Sequence, residues 1–237
     1  MSAPDQSATP QLTSFNQDHA TVYDERFSKL APFRDALHLL SAAVLTPLPE
    51  NARILCVGAG TGAELLALAA RFPGWHFTAV EPSGPMLNRC REKAATAGVS
   101  DRCDFHEGYL DSLPEGEPHH AATSFLVSQF VLIEEKRRDF FREIAKRLIP
   151  GGHLLNADLS ADPASPTYEE TMEVWLRLME YTGLPPEAIA QLRTVYGRDV
   201  AVTPPEELEA LIASAGFAAP LPFLQTGLIR AWSTQRL

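Results

Sequence analysis

Three glycines stand at every second position where an apolar segment gives way to a helical pattern. Gly58, Gly60 and Gly62 follow the apolar run 54–57, and apolar residues then recur at helical spacing. Glycine permits positive φ and removes the side chain that would hold a ligand away from the backbone. A helix starting here would also expose its unpaired N–H groups. The spacing G-x-G-x-x-G/A predicts a site for a dinucleotide or for a nucleoside carried on a sulfonium amino acid.

An acid follows the next predicted strand. Glu81 comes directly after the segment 75–80, which reads WHFTAV, so it would lie at the same sheet edge as the glycines. A carboxylate there can accept hydrogen bonds from both hydroxyls of a ribose, in either class of ligand. The alternative is a solvated acid before a turn, since Pro82 follows. We favour the binding role because strand, glycine loop and acid occur together.

The elements that would position these residues alternate along the chain. Short apolar strands are predicted at 54–57, 76–80, 103–106, 123–127 and 153–157. Helices are predicted at 64–72, 83–97 and 135–148. A turn is predicted at Pro150, Gly151 and Gly152. Apolar strands that alternate with helices indicate an α/β fold with a parallel sheet covered on both faces.

The sequence pattern after residue 202 predicts one more helix and two strands. Thr203 and Glu206 have the spacing of a capping box, and Gly216 is placed to end the helix that follows. The last segment has the pattern of two strands joined near Thr226 and Gly227. These strands would complete the sheet.

Composition limits the classes of function. The 237 residues fit one large domain, and the formal net charge of −10 disfavours a nucleic-acid partner. The basic residues between 136 and 147 interleave with apolar ones, which indicates the solvated face of a helix. We expect no signal peptide and no membrane span. Three cysteines without metal-ligand spacing, Cys56, Cys90 and Cys103, indicate reduced thiols in the cytoplasm.

Two adjacent histidines, His119 and His120, precede the fourth predicted strand. They could be interpreted as metal ligands. However, neighbours on an extended segment point to opposite faces, so we favour a pair of surface loop residues and expect no metal site.

Four sequence blocks in a fixed order carry a family resemblance. They are ILCVGAGTGAE, FTAVEPSGPML, FHEGYLDSLP and IAKRLIPGGHLLNADLS. Together they resemble the class I S-adenosylmethionine-dependent methyltransferases, and most nearly the small-molecule and ubiquinone-biosynthesis-like branch, over residues 20–160. The resemblance implies a Rossmann-like, doubly wound sheet of seven mostly parallel strands with an antiparallel last strand. It also implies S-adenosylmethionine as cofactor and in-line methyl transfer to a small, apolar or aromatic molecule.

The resemblance assigns roles around the glycine loop. Glu81 would hold the ribose hydroxyls, Met86 would pack on the adenine, and Tyr23 would reach the cofactor carboxylate. The family usually has an acid directly after the glycine of the third block, where this chain has Tyr109, so the adenine contact departs from the pattern. Three alternatives stay open: Tyr109 stacks on the adenine, it donates its hydroxyl, or Asp111 replaces the acid. Leu110 would still offer its backbone N–H. The cofactor-binding residues implied in full are Tyr23, Gly58, Ala59, Gly60, Gly62, Glu81, Pro82, Met86, Tyr109, Leu110 and Val127.

Fewer motifs mark the acceptor side. His19 lies one helical turn from Tyr23 in the predicted lid, and a histidine can act as a general base near neutral pH. Ser128 and Gln129 would border both cofactor and acceptor at the end of the fourth strand. Candidates for the pocket wall, which could equally form the core of a helical insertion, are Trp175, Met179 and Tyr196.

The predicted organisation has five parts. They are a disordered tail at 1–14, an N-terminal helical lid at 15–47, a cofactor-binding core at 48–159, a helical cap insertion at 160–202, and a final helix and strands at 203–237. A homodimer is compatible with the sequence. Two other functions stay open, a nicotinamide-dependent oxidoreductase and a non-catalytic cofactor-binding protein.

Overall fold

Seven strands form one sheet in residues 28–237, the part of the chain that the computed structural model describes. In chain order they are β1 (Arg53–Val57), β2 (His76–Glu81), β3 (Cys103–Glu107), β4 (His119–Phe125), β5 (Leu148–Leu159), β6 (Leu221–Thr226) and β7 (Ile229–Gln235). Their spatial order is β3-β2-β1-β4-β5-β7-β6. Strands β1 to β5 pair in parallel, whereas β7 is antiparallel to β5 and β6. The predicted doubly wound α/β sheet with an antiparallel last strand is confirmed.

Helices cover both faces of the sheet. They are α1 (Ala31–Leu45), α2 (Ala63–Arg71), α3 (Gly84–Thr96), α4 (Glu134–Lys146), α5 (Tyr168–Glu180), α6 (Pro186–Val195) and α7 (Pro205–Ser214). Ile54 and Cys56 of β1 belong to an apolar cluster with α1, α2 and α3, whereas Leu55 and Val57 belong to a cluster with α4 and α7. Residues 54–57 of β1 are all apolar, as expected of a strand that is buried on both faces.

Helices α5 and α6, here called the cap helices, lie between β5 and α7 in the chain. They form a separate apolar cluster that also includes Leu30 and Leu228. No helix within residues 28–237 has the length and apolar character needed to cross a membrane. The predicted tail and residues 15–27 of the predicted lid lie outside the described residues. The division of the chain into five parts stays a prediction.

Two strands begin earlier than the sequence analysis predicted. Strand β4 starts at His119, and β5 runs through Gly151 and Gly152, which were predicted to lie in a turn. The register changes from His119 opposite Leu148 to Ala121 opposite His153, so β5 carries the extra residues. Extra residues in one strand are accommodated as a bulge, which explains how a turn-like sequence continues a strand.

The histidine pair begins an interior strand, so the prediction of a surface loop is wrong. His119 is buried, its Nε2 lies 3.0 Å from Thr78 Oγ1, and burial lowers its pKa to about 4. His120 Nδ1 accepts the backbone N–H of Arg53 at 3.0 Å. Polar partners on β1 and β2 therefore compensate for the burial of these rings. No cluster of three or more metal-ligating side chains occurs within residues 28–237.

The predicted capping box does not form. Helix α7 begins at Pro205 with Pro204 at the N-cap and no side-chain cap. Pro204 has no side-chain oxygen that could accept an N–H of the first helical turn. Thr203 Oγ1 instead accepts a hydrogen bond from Arg137 Nη1 at 2.8 Å. Gly216 follows the helix with a φ of 100°, as predicted for its end.

Two glycines of similar φ allow packing to be separated from backbone strain. Gly62 has a φ of 81° and Gly98 a φ of 68°. A Cβ on Gly62 would lie 2.5 Å from the Sγ of buried Cys90, whereas a Cβ on Gly98 would have no atom of the described part of the chain within 4 Å. We expect Gly62→Ala to lower the free energy of unfolding by about 2–4 kcal/mol and the control Gly98→Ala by about 1 kcal/mol. Urea denaturation measures both, and equal losses would contradict the packing role of Gly62.

Candidate functional site

The carboxyl ends of β1, β2 and β4 meet at one edge of the sheet. The chain passes from β1 outward to β2 and β3, and then returns to place β4 on the other side of β1. Such a reversal opens a crevice at the strand ends, where α/β proteins bind ligands. Gly58 follows β1, Glu81 ends β2 and Val127 follows β4, so all three belong to this edge.

The loop after β1 is fastened to β2. The amides of Gly58 and Ala59 both donate to the carbonyl oxygen of Val80, at 2.8 and 3.0 Å. Gly58, Gly60 and Gly62 have φ values of 69°, 55° and 81°. Residues with a Cβ adopt this region only at a cost in free energy, so the path of the loop itself requires glycine.

The three glycines differ in what surrounds them. A Cβ on Gly58 would lie 2.4 Å from a methyl carbon of Val127, and Gly62 packs against α3 as described above. Among residues 28–237, a Cβ on Gly60 would meet only the Cε of Met86, at 3.8 Å. Gly58 and Gly62 therefore allow close packing within the protein, and Gly60 leaves open space beside its backbone. The cofactor contacts predicted for all three stay predictions.

Glu81 holds the glycine loop and the start of α3 together. Its Oε2 accepts the amide of Gly60 and its Oε1 accepts the amide of Ser83, each at 2.9 Å. Burial raises the pKa of this carboxyl, and the two backbone hydrogen bonds act in the opposite direction. A carboxylate has about four lone-pair positions, so two protein donors leave capacity for hydroxyl donors of a ligand. The open backbone at Gly60 and this carboxylate fit a nucleoside whose ribose lies between them.

The first turn of α3 forms the wall beside Glu81. Ser83 Oγ accepts the amide of Met86 at 3.4 Å and caps the helix. Met86 is buried and half-buried Pro82 links the helix to β2. Because the methyl carbon of Met86 is the nearest atom to the open side of Gly60, its predicted packing on an adenine is sterically compatible with the loop.

The turn after β3 lies next to the end of β2. The amide of Gly108 donates to the carbonyl oxygen of Glu81 at 3.1 Å, and Ser112 Oγ donates to the carbonyl oxygen of Tyr109 at 2.7 Å. Tyr109 is 48% exposed and Leu110 is buried. The fixed turn leaves the phenol ring accessible, and the adenine contacts of both residues stay predictions.

A second acid lies close to the glycine loop, and the sequence analysis did not identify it. Glu64 occupies the first turn of α2 and is 8% exposed. Burial raises its pKa to about 7, and the nearby carboxylate of Glu81 also raises it. Its position directly after the glycines, at a helix N-terminus where acids are favoured, is the signal that could have identified it.

Two residues predicted to contact the acceptor are buried in a polar cluster. Ser128 Oγ donates to Asp158 Oδ2 at 2.7 Å, and the amide of Gln129 donates to Oδ1 at 2.9 Å. Arg137 Nη2 lies 3.3 Å from Asp158 Oδ2, with both side chains in the interior. Arg137 is buried, so the prediction of a solvated position is wrong. The carboxylate of Asp158 balances its charge in the interior. The acceptor contacts of Ser128 and Gln129 stay predictions.

The predicted pocket-wall residues lie among the cap helices. Trp175 Nε1 donates to the hydroxyl of Tyr196 at 2.9 Å. Trp175 and Met179 are buried in the apolar cluster of the cap helices. The Trp175 ring covers the turn between β6 and β7, since a Cβ on Gly227 would lie 2.6 Å from it. These contacts give each residue a packing role, and contact with an acceptor stays a prediction. The candidates His19 and Tyr23 lie outside the described residues.

Known proteins match this architecture. A model of the methyltransferase domain family matches residues 54–152. A carboxy-S-adenosyl-L-methionine synthase of Campylobacter hominis is 25% identical over 205 residues, 86% of each chain. A demethylmenaquinone methyltransferase of Thermus thermophilus is 27% identical over 214 residues, 85% of this chain and 96% of that protein.

A solved structure has the same fold. It is that of a putative O-methyltransferase of Nostoc punctiforme, with a TM-score of 0.66, 15% identity and a match over 93% of this chain. The chain spans 60% of the length of that structure. The matched family region contains the glycine loop, Glu81 and the turn after β3, which are the segments around the crevice. Residues 54–152 match the methyltransferase domain family, and the sheet order, the crevice and the relatives support a class I S-adenosylmethionine-dependent methyltransferase.

Proposed function

We propose that this protein transfers the methyl group of S-adenosylmethionine to a small, apolar or aromatic acceptor. The observation that carries the proposal is the open backbone of Gly60 beside the carboxylate of Glu81. When bound, the cofactor supplies an electrophilic methyl carbon on a sulfonium leaving group, suited to in-line displacement. The relative named for demethylmenaquinone supports a small-molecule acceptor.

The residues of the crevice would bind and orient the cofactor. Glu81 would accept hydrogen bonds from the ribose hydroxyls through its free lone pairs, and Met86 would pack against the adenine. The amide of Leu110 would donate to the adenine edge. Tyr23 would contact the carboxylate of the amino-acid part. Together these residues would hold the cofactor in a single orientation in the crevice.

The acceptor would be aligned by apolar surfaces of the lid and the cap helices. Alignment of two reacting groups and exclusion of water can lower a barrier by several kcal/mol, and methyl transfer needs little further chemistry. Trp175, Met179 and Tyr196 are the proposed wall, with Ser128 and Gln129 as its polar members. For a phenol, enol or amine acceptor, His19 would accept the proton that the acceptor loses.

Cellular setting and assembly are part of the same proposal. Three free thiols, Cys56, Cys90 and Cys103, suit the reducing cytoplasm. A homodimer is proposed for the assembled enzyme. A nicotinamide-dependent oxidoreductase is not favoured, since the curated relatives reported above are named for S-adenosylmethionine chemistry. A synthase that modifies the cofactor itself is the second candidate, because one of those relatives has that name.

A product assay tests the proposal and separates it from the synthase. The protein is incubated with S-adenosylmethionine and a panel of phenols, enols and amines, and the products are identified by mass spectrometry. We expect S-adenosylhomocysteine and a methylated acceptor in equal amounts. In a parallel incubation with an organic carboxylic acid as carboxyl donor, a carboxylated cofactor without a methylated acceptor would support the synthase. Failure of the protein to bind S-adenosylmethionine would refute both.

Removal of the Glu81 carboxylate should weaken cofactor binding. Glu81→Ala loses charge-assisted hydrogen bonds, so we expect the dissociation constant for S-adenosylhomocysteine to rise by at least about tenfold. The control is Glu117→Ala, which removes an exposed acid that pairs with Arg53 at the opposite edge of the sheet. Isothermal titration calorimetry measures both. An unchanged affinity in Glu81→Ala would contradict the proposed ribose contact.

Replacement of Glu64 should alter the pH dependence of stability. Its folded pKa of about 7 lies above the ordinary value of 4.5, so its protonation stabilises the fold at low pH and this contribution is lost as pH rises through 7. Glu64→Gln carries no charge. Relative to the original chain, its free energy of unfolding should therefore increase by about 2–3 kcal/mol between about pH 5 and about pH 8.

Urea denaturation at the two pH values measures this difference. Glu92→Gln is the control, because Glu92 lies on α3 with an exposed side chain paired to Arg89. Parallel pH profiles for Glu64→Gln and the original chain would show that Glu64 is ionised in the fold near neutral pH, contrary to the expectation.

A further inference from the structure

Both ends of the segment that carries the cap helices are fastened to one short turn. The turn is Ser128–Phe130, directly after β4. Gln129 Oε1 accepts the amide of Leu159 at 3.0 Å, where the chain leaves β5. The carbonyl oxygen of Gln129 accepts the amide of Ala201 at 2.8 Å, where the chain returns from α6. One residue therefore contacts both the start and the end of the cap segment, residues 160–202.

The guanidinium of Arg137 joins the same parts of the chain. Its Nε donates to Ser128 Oγ and its Nη1 donates to Thr203 Oγ1, each at 2.8 Å. Its Nη2 lies 3.3 Å from Asp158 Oδ2. Arg137 is 4% exposed, so these contacts are made in the interior. A planar guanidinium can direct three groups at once, which a lysine ammonium on a flexible stem cannot reproduce.

Asp158 supports the turn from the end of β5. Besides the hydroxyl of Ser128 and the amide of Gln129, it accepts a hydrogen bond from Asn156 Nδ2 at 2.7 Å. It is fully buried. A buried ion pair often adds little net stability compared with apolar residues of similar volume. This pair is therefore better explained by the geometry that it imposes on three segments than by a gain in stability.

The same loop extends to the cofactor crevice. Leu126 has a φ of 60°, which is unfavourable for a residue with a Cβ, and its amide donates to the carbonyl oxygen of Ala157 at 2.7 Å. The next residue, Val127, occupies the space in front of Gly58. A shift of this loop would thus change the wall of the crevice and the anchoring of the cap segment together.

We propose that Arg137 and Asp158 are positioning residues that couple the cap segment to the cofactor crevice through the loop 126–130. Order at one site then favours order at the other, because Val127 of this loop contacts Gly58 and Gln129 of the same loop contacts both ends of the cap segment. The consequence for the acceptor rests on the proposed function, whereas the linkage itself does not.

Hydrogen–deuterium exchange of the full chain tests the linkage. Arg137→Lys keeps the charge opposite Asp158 but loses the three-way contact. We expect the amides of Gln129 and Ala201 to exchange about tenfold faster in this variant, with β1 amides and the urea midpoint nearly unchanged. Thr203→Val removes only the Nη1 contact and should accelerate Ala201 but not Gln129. The control is Arg138→Lys, at a half-buried arginine that pairs with Glu134 on the same helix.

Addition of S-adenosylhomocysteine tests the coupling to the crevice. We expect it to slow exchange at Ala201 in the original chain and in Arg138→Lys, but not in Arg137→Lys. Unchanged exchange at Ala201 in Arg137→Lys, or equal acceleration in β1, would overturn the proposal, since the latter is the result of general destabilisation. If the ligand fails to bind the original chain, the proposed function fails, and exchange in the ligand-free proteins still decides the linkage.

Discussion

The hydrogen bonds from two backbone amides to the carboxylate of Glu81 are the constraint on which the crevice depends. One amide belongs to Gly60 in the loop after β1 and the other to Ser83 at the start of α3, so a single side chain sets the distance between the two walls. The carboxylate is desolvated there, which raises its pKa, and each amide partly compensates. The hydroxyls of a ribose would supply further donors to a group that already has its geometry fixed by the protein.

The contacts around this carboxylate extend across the sheet. Gly58 lacks a side chain because Val127 occupies that space, and Val127 follows a residue held at positive φ. The loop that contains Val127 is anchored by Asp158 and Arg137 in turn. The glycine motif thus combines two requirements, open space for a ligand at Gly60 and close packing of the protein at its other two positions. The glycine motif therefore reflects the packing against the loop after β4 as well as the binding of a cofactor.

Local patterns in the sequence predicted the sheet and the crevice. The apolar run of β1, the glycine spacing and the acid that ends β2 are adjacent in sequence or one strand apart, so short-range rules apply to them. Contacts between distant segments were not predictable in this way. Thr203 was assigned to a helix cap from its local spacing, yet its partner is Arg137 on another helix. His119 looked exposed because its partner, Thr78, lies on a strand that is not adjacent in sequence. His19 and Tyr23 lie outside the described residues, so their roles stay predictions.

The most direct test of the central claim is a thermodynamic cycle in S-adenosylhomocysteine binding. Calorimetry would compare this ligand with its analogue lacking both ribose hydroxyls, on the original chain and on Glu81→Ala. If the carboxylate binds the ribose, loss of the hydroxyls should weaken binding by at least about tenfold in the original chain and change it little in the variant. An equal loss in both proteins would contradict the account, because the hydroxyls would then be bound by another group.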